Sequence, residues 1–445
     1  MNKFFSIFFV LTAFAGCFFV RSGNTFKKMD ELLQAKDYFL LETSLKNNGS
    51  QLSDAHKLYF RARTESAFNQ TEQSLQTIDL LFSKHKKSFS AVNIFNLLGV
   101  KLDNHYRQFE YKQAAETWYV MLDMLESLDD NILGNIDLEA LKSNMHGYEL
   151  LKNVPTQKIF LTTDVIIPFQ KNEIGHLIIQ VTSNGVTNEF IFDTGSTLST
   201  IKESVANRMG IKPLSGSSGS MHTHSSTGRL VEVKRGVADS LLIGNLLFEN
   251  VVFNIIIDDQ PTPLESNYSS SGTIGFPVMN QMKEFRIDHM MGNIVVPKIP
   301  VEQDLHNMFW DGVFPVVRLE SGQDILLFIL DTGATNSRFF KKYFNKYREN
   351  IIEKGQRGVQ IRYGLDGSVA DEVYILTNVT FKIGDFKMTL PKINVQTQEH
   401  SLTEKYDGLL GLDILSHSDE IVLNLESMYL AFKNNNKEVI AITSQ

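Results

Sequence analysis

The chain has 445 residues, too many for one ordinary core, so two or three domains are expected, each long enough to bury an apolar interior. With 42% hydrophobic and 21% charged residues, its composition is that of a folded soluble protein and excludes a disordered or collagen-like chain. A net charge of -8 leaves no basic surplus for phosphates and excludes a general nucleic-acid binder, while a single cysteine, Cys17, excludes an intramolecular disulfide and a Cys-rich metal site. The 11 histidines show no His-Glu-x-x-His pattern, so a zinc peptidase has no support; no metal and no cofactor is expected.

Residues 1–22 read as an export signal: Lys3 supplies the positive start, Phe4 to Leu11 a short apolar run, and Ala13-Phe14-Ala15 a small-x-small cleavage site. Cys17, following Phe14-Ala15-Gly16, resembles the acylated cysteine of the bacterial lipoprotein lipobox. Three outcomes stay open: membrane attachment through a lipid on Cys17, secretion after cleavage, and an uncleaved anchor. Each implies export, to the bacterial cell envelope or beyond it.

Residues 26–151 carry apolar positions at three- and four-residue spacing with little glycine or proline, which predicts a helical domain. The stretch Leu97-Leu98-Gly99, Tyr106, Phe109, Tyr111, Ala114-Ala115, Trp118-Tyr119 resembles a tetratricopeptide helix pair, with a weaker echo from Leu58 through Ala62, Ala67, Ser74-Leu75 and Leu80-Leu81. An unrelated helical bundle is the competing reading. Either offers a surface for a protein partner.

Pro155 breaks the helical pattern, and from Val165 short β-rich runs separated by Gly, Asn, Asp and Ser take over. Within them, Phe190-Ile-Phe-Asp193-Thr-Gly-Ser recurs 138 residues later as Phe328-Ile-Leu-Asp331-Thr-Gly-Ala, each preceded by an apolar strand and a turn. Leu242-Ile243-Gly244-Asn245 returns as Lys382-Ile383-Gly384-Asp385, Thr273-Ile274-Gly275 as Leu409-Leu410-Gly411, and Glu284 to Asp288 as Glu420 to Asn424. Four landmarks repeated in order at nearly one spacing describe two similar lobes, 165–300 and 301–445.

This duplicated pattern is similar to that of the retropepsin-like and pepsin-like aspartic peptidases, over about Val165 to Phe432. The resemblance implies a multidomain α + β chain, in which the helical domain precedes a mostly-β, two-lobed peptidase with the double closed-barrel acid-protease fold. It also implies that Asp193 and Asp331 are the catalytic pair. Two carboxyl groups held close cannot both ionise cheaply, so one proton is shared, and the pair can activate water while polarising a peptide carbonyl. By the same resemblance Thr194 and Thr332 hydrogen-bond across the lobe interface, and Gly195 and Gly333 let backbone amides approach the carboxylates. Ser196 is able to donate to Asp193 where Ala334 has no hydroxyl, which makes the aspartates inequivalent. Candidate flap tips fall at His224 to Gly228 and Tyr363 to Gly367, the first preceded by the Ser/Gly-rich stretch Leu214 to Ser220. No tyrosine stands between Leu214 and Asp239, which favours the retropepsin-like branch. His222 and His224 read as ordinary solvated side chains more readily than as ligands or pH sensors.

The resulting expectation is an exported endopeptidase acting on protein or peptide substrates, with both aspartates in one chain. Two competing readings keep the fold without the activity: a binding cleft on an inactive peptidase, and an envelope scaffold acting through the helical domain.

Overall fold

Six helices open the described chain: α1 (Asn24–Gln34), α2 (Tyr38–Asn48), α3 (Asp54–Ala67), α4 (Thr71–His85), α5 (Ala91–Arg107) and α6 (Tyr111–Glu126). The computed structural model describes residues 24–126, 146–216, 221–258, 270–303, 306–312, 314–398 and 405–434. The segment expected to be an export signal, residues 1–22 with Cys17, lies outside these, as does part of the Ser/Gly-rich stretch. No helix among the described residues is long and apolar enough to cross a membrane. The chain divides into two compact units, the first Met1–Thr156 with Phe309–Val313 and the second Gln157–Met308 with Phe314–Gln445.

In the first unit the helices pack as successive pairs, α1 with α2, α3 with α4 and α5 with α6. Each pair is joined by the same turn. Lys36, Asn69 and Phe109 adopt φ of 59°, and the next amide reaches back to the preceding helix: Asp37 to the Leu32 carbonyl at 2.9 Å, Gln70 to Glu65 at 2.8 Å and Glu110 to His105 at 2.9 Å. This is a Schellman-type closure without glycine, made three times. Sequence spacing detected the last two pairs and missed the first, whose turn residue, Lys36, is no turn former. Lys36 also ion-pairs with Asp311 of the inserted segment, while Phe309 packs on Tyr38 at 5.1 Å between ring centroids.

Small side chains let these helices approach, with Ala62, Ser74 and Ala114 fully buried. One polar network crosses three helices. Asn104 on α5 accepts from Ser66 Oγ on α3 at 2.7 Å and donates to Ser74 Oγ on α4 at 2.8 Å, and Ser74 donates to the Ala62 carbonyl at 2.7 Å. Arg107 completes it by donating to Asn104 Oδ1 at 2.6 Å and to the Ser66 carbonyl at 2.9 Å.

The second unit is mostly β. The hairpin Leu177–Ser183/Val186–Phe192 closes through Asn184-Gly185, both at positive φ, as such two-residue turns require. Strand Gly272–Ile274 runs parallel beside Val186–Phe192 and antiparallel to Ser199–Lys202, which in turn lies parallel to Leu246–Ile256. The second half repeats these pairings. Hairpin Phe314–Ser321/Asp324–Leu330 is flanked in parallel by Gly408–Leu410, which is antiparallel to Arg338–Phe339, itself parallel to Phe386–Gln396.

The two halves join through a strand from each. Glu284–Asp288 pairs antiparallel with Glu420–Asn424, so two landmarks recognised as repeats in the sequence are bonded to one another. Glu284 is fully buried there; its carboxylate accepts from Asn424 Nδ2 at 2.8 Å, the Val301 amide at 2.7 Å and Arg286 Nε at 2.7 Å.

Replacing Asn104 by Leu strands the polar groups of Ser66, Ser74 and Arg107 without their partner. A loss of about 2–4 kcal/mol of stability is expected, measured by chemical denaturation, whereas a solvated network would lose little.

Candidate active site

Strands Val186–Phe192 and Asp324–Leu330 end at Asp193 and Asp331, and the following turns bring the two aspartates together. Their carboxyl groups lie within hydrogen-bonding reach of each other. The first oxygen of each is met by the amide two residues on, Gly195 to Asp193 Oδ1 and Gly333 to Asp331 Oδ1, both at 2.9 Å. Each glycine also faces the other half. A Cβ on Gly195 would sit 2.4 Å from Asp331 Oδ1, and one on Gly333 2.5 Å from Asp193 Oδ1, so no side chain fits at either position.

Four hydrogen bonds hold this approach. The Thr194 amide donates to Thr332 Oγ1 and the Thr332 amide to Thr194 Oγ1, each at 2.9 Å. Thr194 Oγ1 donates onward to the Leu330 carbonyl at 3.0 Å and Thr332 Oγ1 to that of Phe192 at 2.7 Å. Both threonines are buried, so each hydroxyl is donor and acceptor with nothing wasted on solvent.

Ser196 differs from the expectation. Its hydroxyl donates to the Leu198 carbonyl at 2.6 Å and lies 3.1 Å from Thr273 Oγ1, while Asp193 is met by the Ser196 backbone amide instead. The turn folds the side chain back along its own strand, away from the carboxylate. Ala334 donates its amide to the Asp331 carbonyl at 3.2 Å.

Sequence reasoning passed over a second pair of supports. Ser199 Oγ accepts the Gly275 amide and Ser337 Oγ the Gly411 amide, each at 3.0 Å, tying the apolar-apolar-Gly segments to the aspartate loops. Ser337 in turn donates to Asp413 Oδ1 at 2.6 Å. The signal was present, because serine stands six residues after each aspartate. His176 carried none: it is buried, with its ring held by the Gly333 backbone and within the field of Asp331. Burial holds its imidazole below the ordinary range, against the opposing pull of those two neighbours.

Two hairpins meet nearby. Strand Met221–His224 pairs with Leu230–Ile243 around the turn at 225–228, and Gln356–Gly364 pairs with Gly367–Ile383. Their tips are joined: Thr227 Oγ1 donates to Asp366 Oδ1 at 2.6 Å, the Leu365 amide donates to Ser225 Oγ at 2.9 Å, and Ser226 Oγ donates to the Tyr363 carbonyl. Arg362, buried in an ion pair with Asp371, reaches the Ser226 carbonyl as well. His222 and His224 sit on the first hairpin, and burial lowers the His224 pKa. No cluster of metal-type ligands forms among the described residues.

Burial, and after it the charge of Asp331, push the Asp193 carboxyl well above the ordinary carboxylate range, although the Gly195 and Ser196 amides pull the other way. Residues 179–278 match the aspartyl protease family model. That span begins in the strand pair leading to Asp193 and ends just beyond Gly275, so it lies within the first half and does not reach Asp331, which joins through the repeated geometry. No curated protein matches the chain.

Two outcomes follow. Thr332→Val removes an acceptor for the Thr194 amide and a donor for the Phe192 carbonyl, both buried, and is expected to cost about 2–4 kcal/mol by denaturation, with Thr332→Ser largely restoring it. The raised Asp193 carboxyl means that the native state keeps a proton which the unfolded chain releases above about pH 4. Its stabilisation is complete below that value and is lost as pH rises through the native pKa. Asp193→Asn should therefore raise the Tm at neutral pH and leave it nearly unchanged near pH 3; equal shifts at both would argue against a buried charge.

Proposed function

We propose that the chain is an exported aspartic endopeptidase. One proton is held by the Asp193–Asp331 pair; the ionised carboxylate takes a proton from a water bound between them, and the protonated one hydrogen-bonds to the substrate carbonyl oxygen. Water then adds to the carbonyl carbon, and the leaving amine takes up a proton as the C–N bond breaks. No covalent intermediate forms.

The observation that carries this reading is the near-twofold threonine cross, which brings two half-buried carboxyls into mutual hydrogen-bonding reach with matching amides on each. We read the repeated halves as the two lobes of a double-barrel acid protease and the joined hairpins as its paired flaps, an arrangement closer to retropepsins than to pepsins. The helical unit fits a tetratricopeptide-like module for a protein partner, supported by its three identically closed helix pairs. Export rests on the leader of residues 1–22, with lipid attachment at Cys17 as one of its forms.

Cleavage of an unbiased peptide library by the purified full-length protein, across acid to neutral pH, tests the proposal. Asp193→Asn and Asp331→Asn should each reduce turnover by at least about a hundredfold while the protein stays folded, and a pepstatin-type inhibitor should do the same. Gly195→Ala should be as damaging, because its Cβ would displace the Asp331 carboxylate. Cleavage that survives both aspartate substitutions would overturn the assignment.

A further inference from the structure

Seven residues beyond each aspartate the repeated halves diverge in charge. The first half has Thr200, whose hydroxyl lies 3.0 Å from Thr273 Oγ1. The second has Arg338, at the same place in the repeated topology, paired with Leu409 and with Asn394. Its backbone is fixed by the close approach of Gly408, where a Cβ would fall 2.4 Å from the Arg338 carbonyl oxygen. The next residue, Phe339, is fully buried in the core, so strand alternation turns Arg338 to the opposite face.

On that face Arg338 is half-buried as a residue, its Nε lies out of solvent, and among the described residues it finds no counterion. Among the described residues it makes no ion pair; its Nε is buried without a hydrogen-bond partner, and the one aromatic contact, with the Phe340 ring, is 5.9 Å to the centroid. The charged groups acting on it are Asp331, Arg362 and Asp371. Two of these are already engaged, since Arg362 and Asp371 pair with each other, and Asp331 is committed to Asp193 and Gly333. Burial depresses the Arg338 pKa, with Arg362 adding to the effect, yet an arginine stays charged at any physiological pH. A cation held between the dyad loop and the second hairpin, with donors unspent, is costly to the free protein and suited to a ligand that brings its own negative charge.

We propose that Arg338 forms an anion subsite beside the dyad, receiving a carboxylate of the bound peptide. That carboxylate is either an aspartate or glutamate side chain near the scissile bond or the C-terminus of a short substrate. The proposal rests on the peptidase reading of the dyad and adds a specificity to it. A guanidinium offers paired donors that match a carboxylate, and the neutral Thr200 side offers none, so the preference is confined to one side of the bond cut.

The test uses matched peptides carrying Asp or Glu, or the isosteric Asn or Gln, at each position around a cleavable bond, with free and amidated C-termini. They are compared on the full-length protein and on its Arg338→Leu and Arg338→Lys forms. The wild type should favour the carboxylate over the amide by about 10- to 100-fold in kcat/KM at one position, the usual weight of a hydrogen-bonded charge. Arg338→Leu should abolish that ratio, an equal or higher Tm showing that the fold is kept, and Arg338→Lys should keep part of it. Selectivity lost on C-terminal amidation would identify the terminal carboxylate as the ligand. Equal cleavage of acid and amide peptides at every position, with or without a shift of the pH profile in Arg338→Leu, would overturn the subsite and leave the peptidase standing. If no peptide is cut, polarisation binding of the same labelled peptides to Asp193→Asn decides: an Arg338-dependent preference for the carboxylate sustains the subsite although the peptidase reading has failed, and none refutes it.

Discussion

Two threonine hydroxyls, each taking the other's backbone amide and giving a proton to a carbonyl beyond it, set the distance between Asp193 and Asp331. The carboxyls repel as charges, and nothing in their own chemistry would keep them together. The bonds that do so run from one half of the β unit to the other, so the site exists only when both halves are folded and joined. The glycines, the serine-to-glycine ties and the shared strand pairing between Glu284–Asp288 and Glu420–Asn424 all serve this spacing from further out.

Duplication has left the frame symmetric and the surroundings unequal. The cross, the glycine amides and the Ser199 and Ser337 ties are matched on both sides. Around that frame the second half carries the extra charges, Arg338, Arg362 and Asp371, and His176 from the first half leans on the Gly333 loop without a counterpart among the residues described for the other side. Backbone geometry tolerates little variation at a paired carboxylate, whereas the walls of a cleft are free to diverge, and it is there that a duplicated frame acquires a direction.

What was legible in the sequence follows from how local each cause is. Asn184-Gly185 and the two Asp-Thr-Gly turns are written in a few consecutive residues, and the repeat of landmarks makes two related halves readable in the sequence. The Ser199 and Ser337 supports stood at one spacing in both halves and went unread because serine is common in turns. Arg338 and His176 were invisible for a different reason: one matters through the absence of a partner and the other through burial, and neither property belongs to a residue type. Ser196 misled because a hydroxyl next to a carboxylate in sequence was taken as near it in space, while the turn directs it to Leu198. In the helical unit, Ala62 and Ala114-Ala115 announced the second and third pairs; the first relies on Lys36 at positive φ, which no propensity would suggest.

On the proposed peptidase reading, the joined hairpin tips have a bearing on what could be digested. Gly364 lies so close to the opposite tip that a Cβ there would fall 2.1 Å from Ser225 Oγ, and side-chain and backbone bonds then fasten one tip to the other. Under that reading, a clasp of this kind would have to part before a chain is laid beneath it and again before two fragments leave, so a catalytic cycle would include two openings whose rate is independent of bond chemistry. A tightly folded domain would offer no strand slim enough to pass, so the substrates proposed for such a cleft are loose tails, linkers and unfolded chains, and the fold of a client protein would be its own protection.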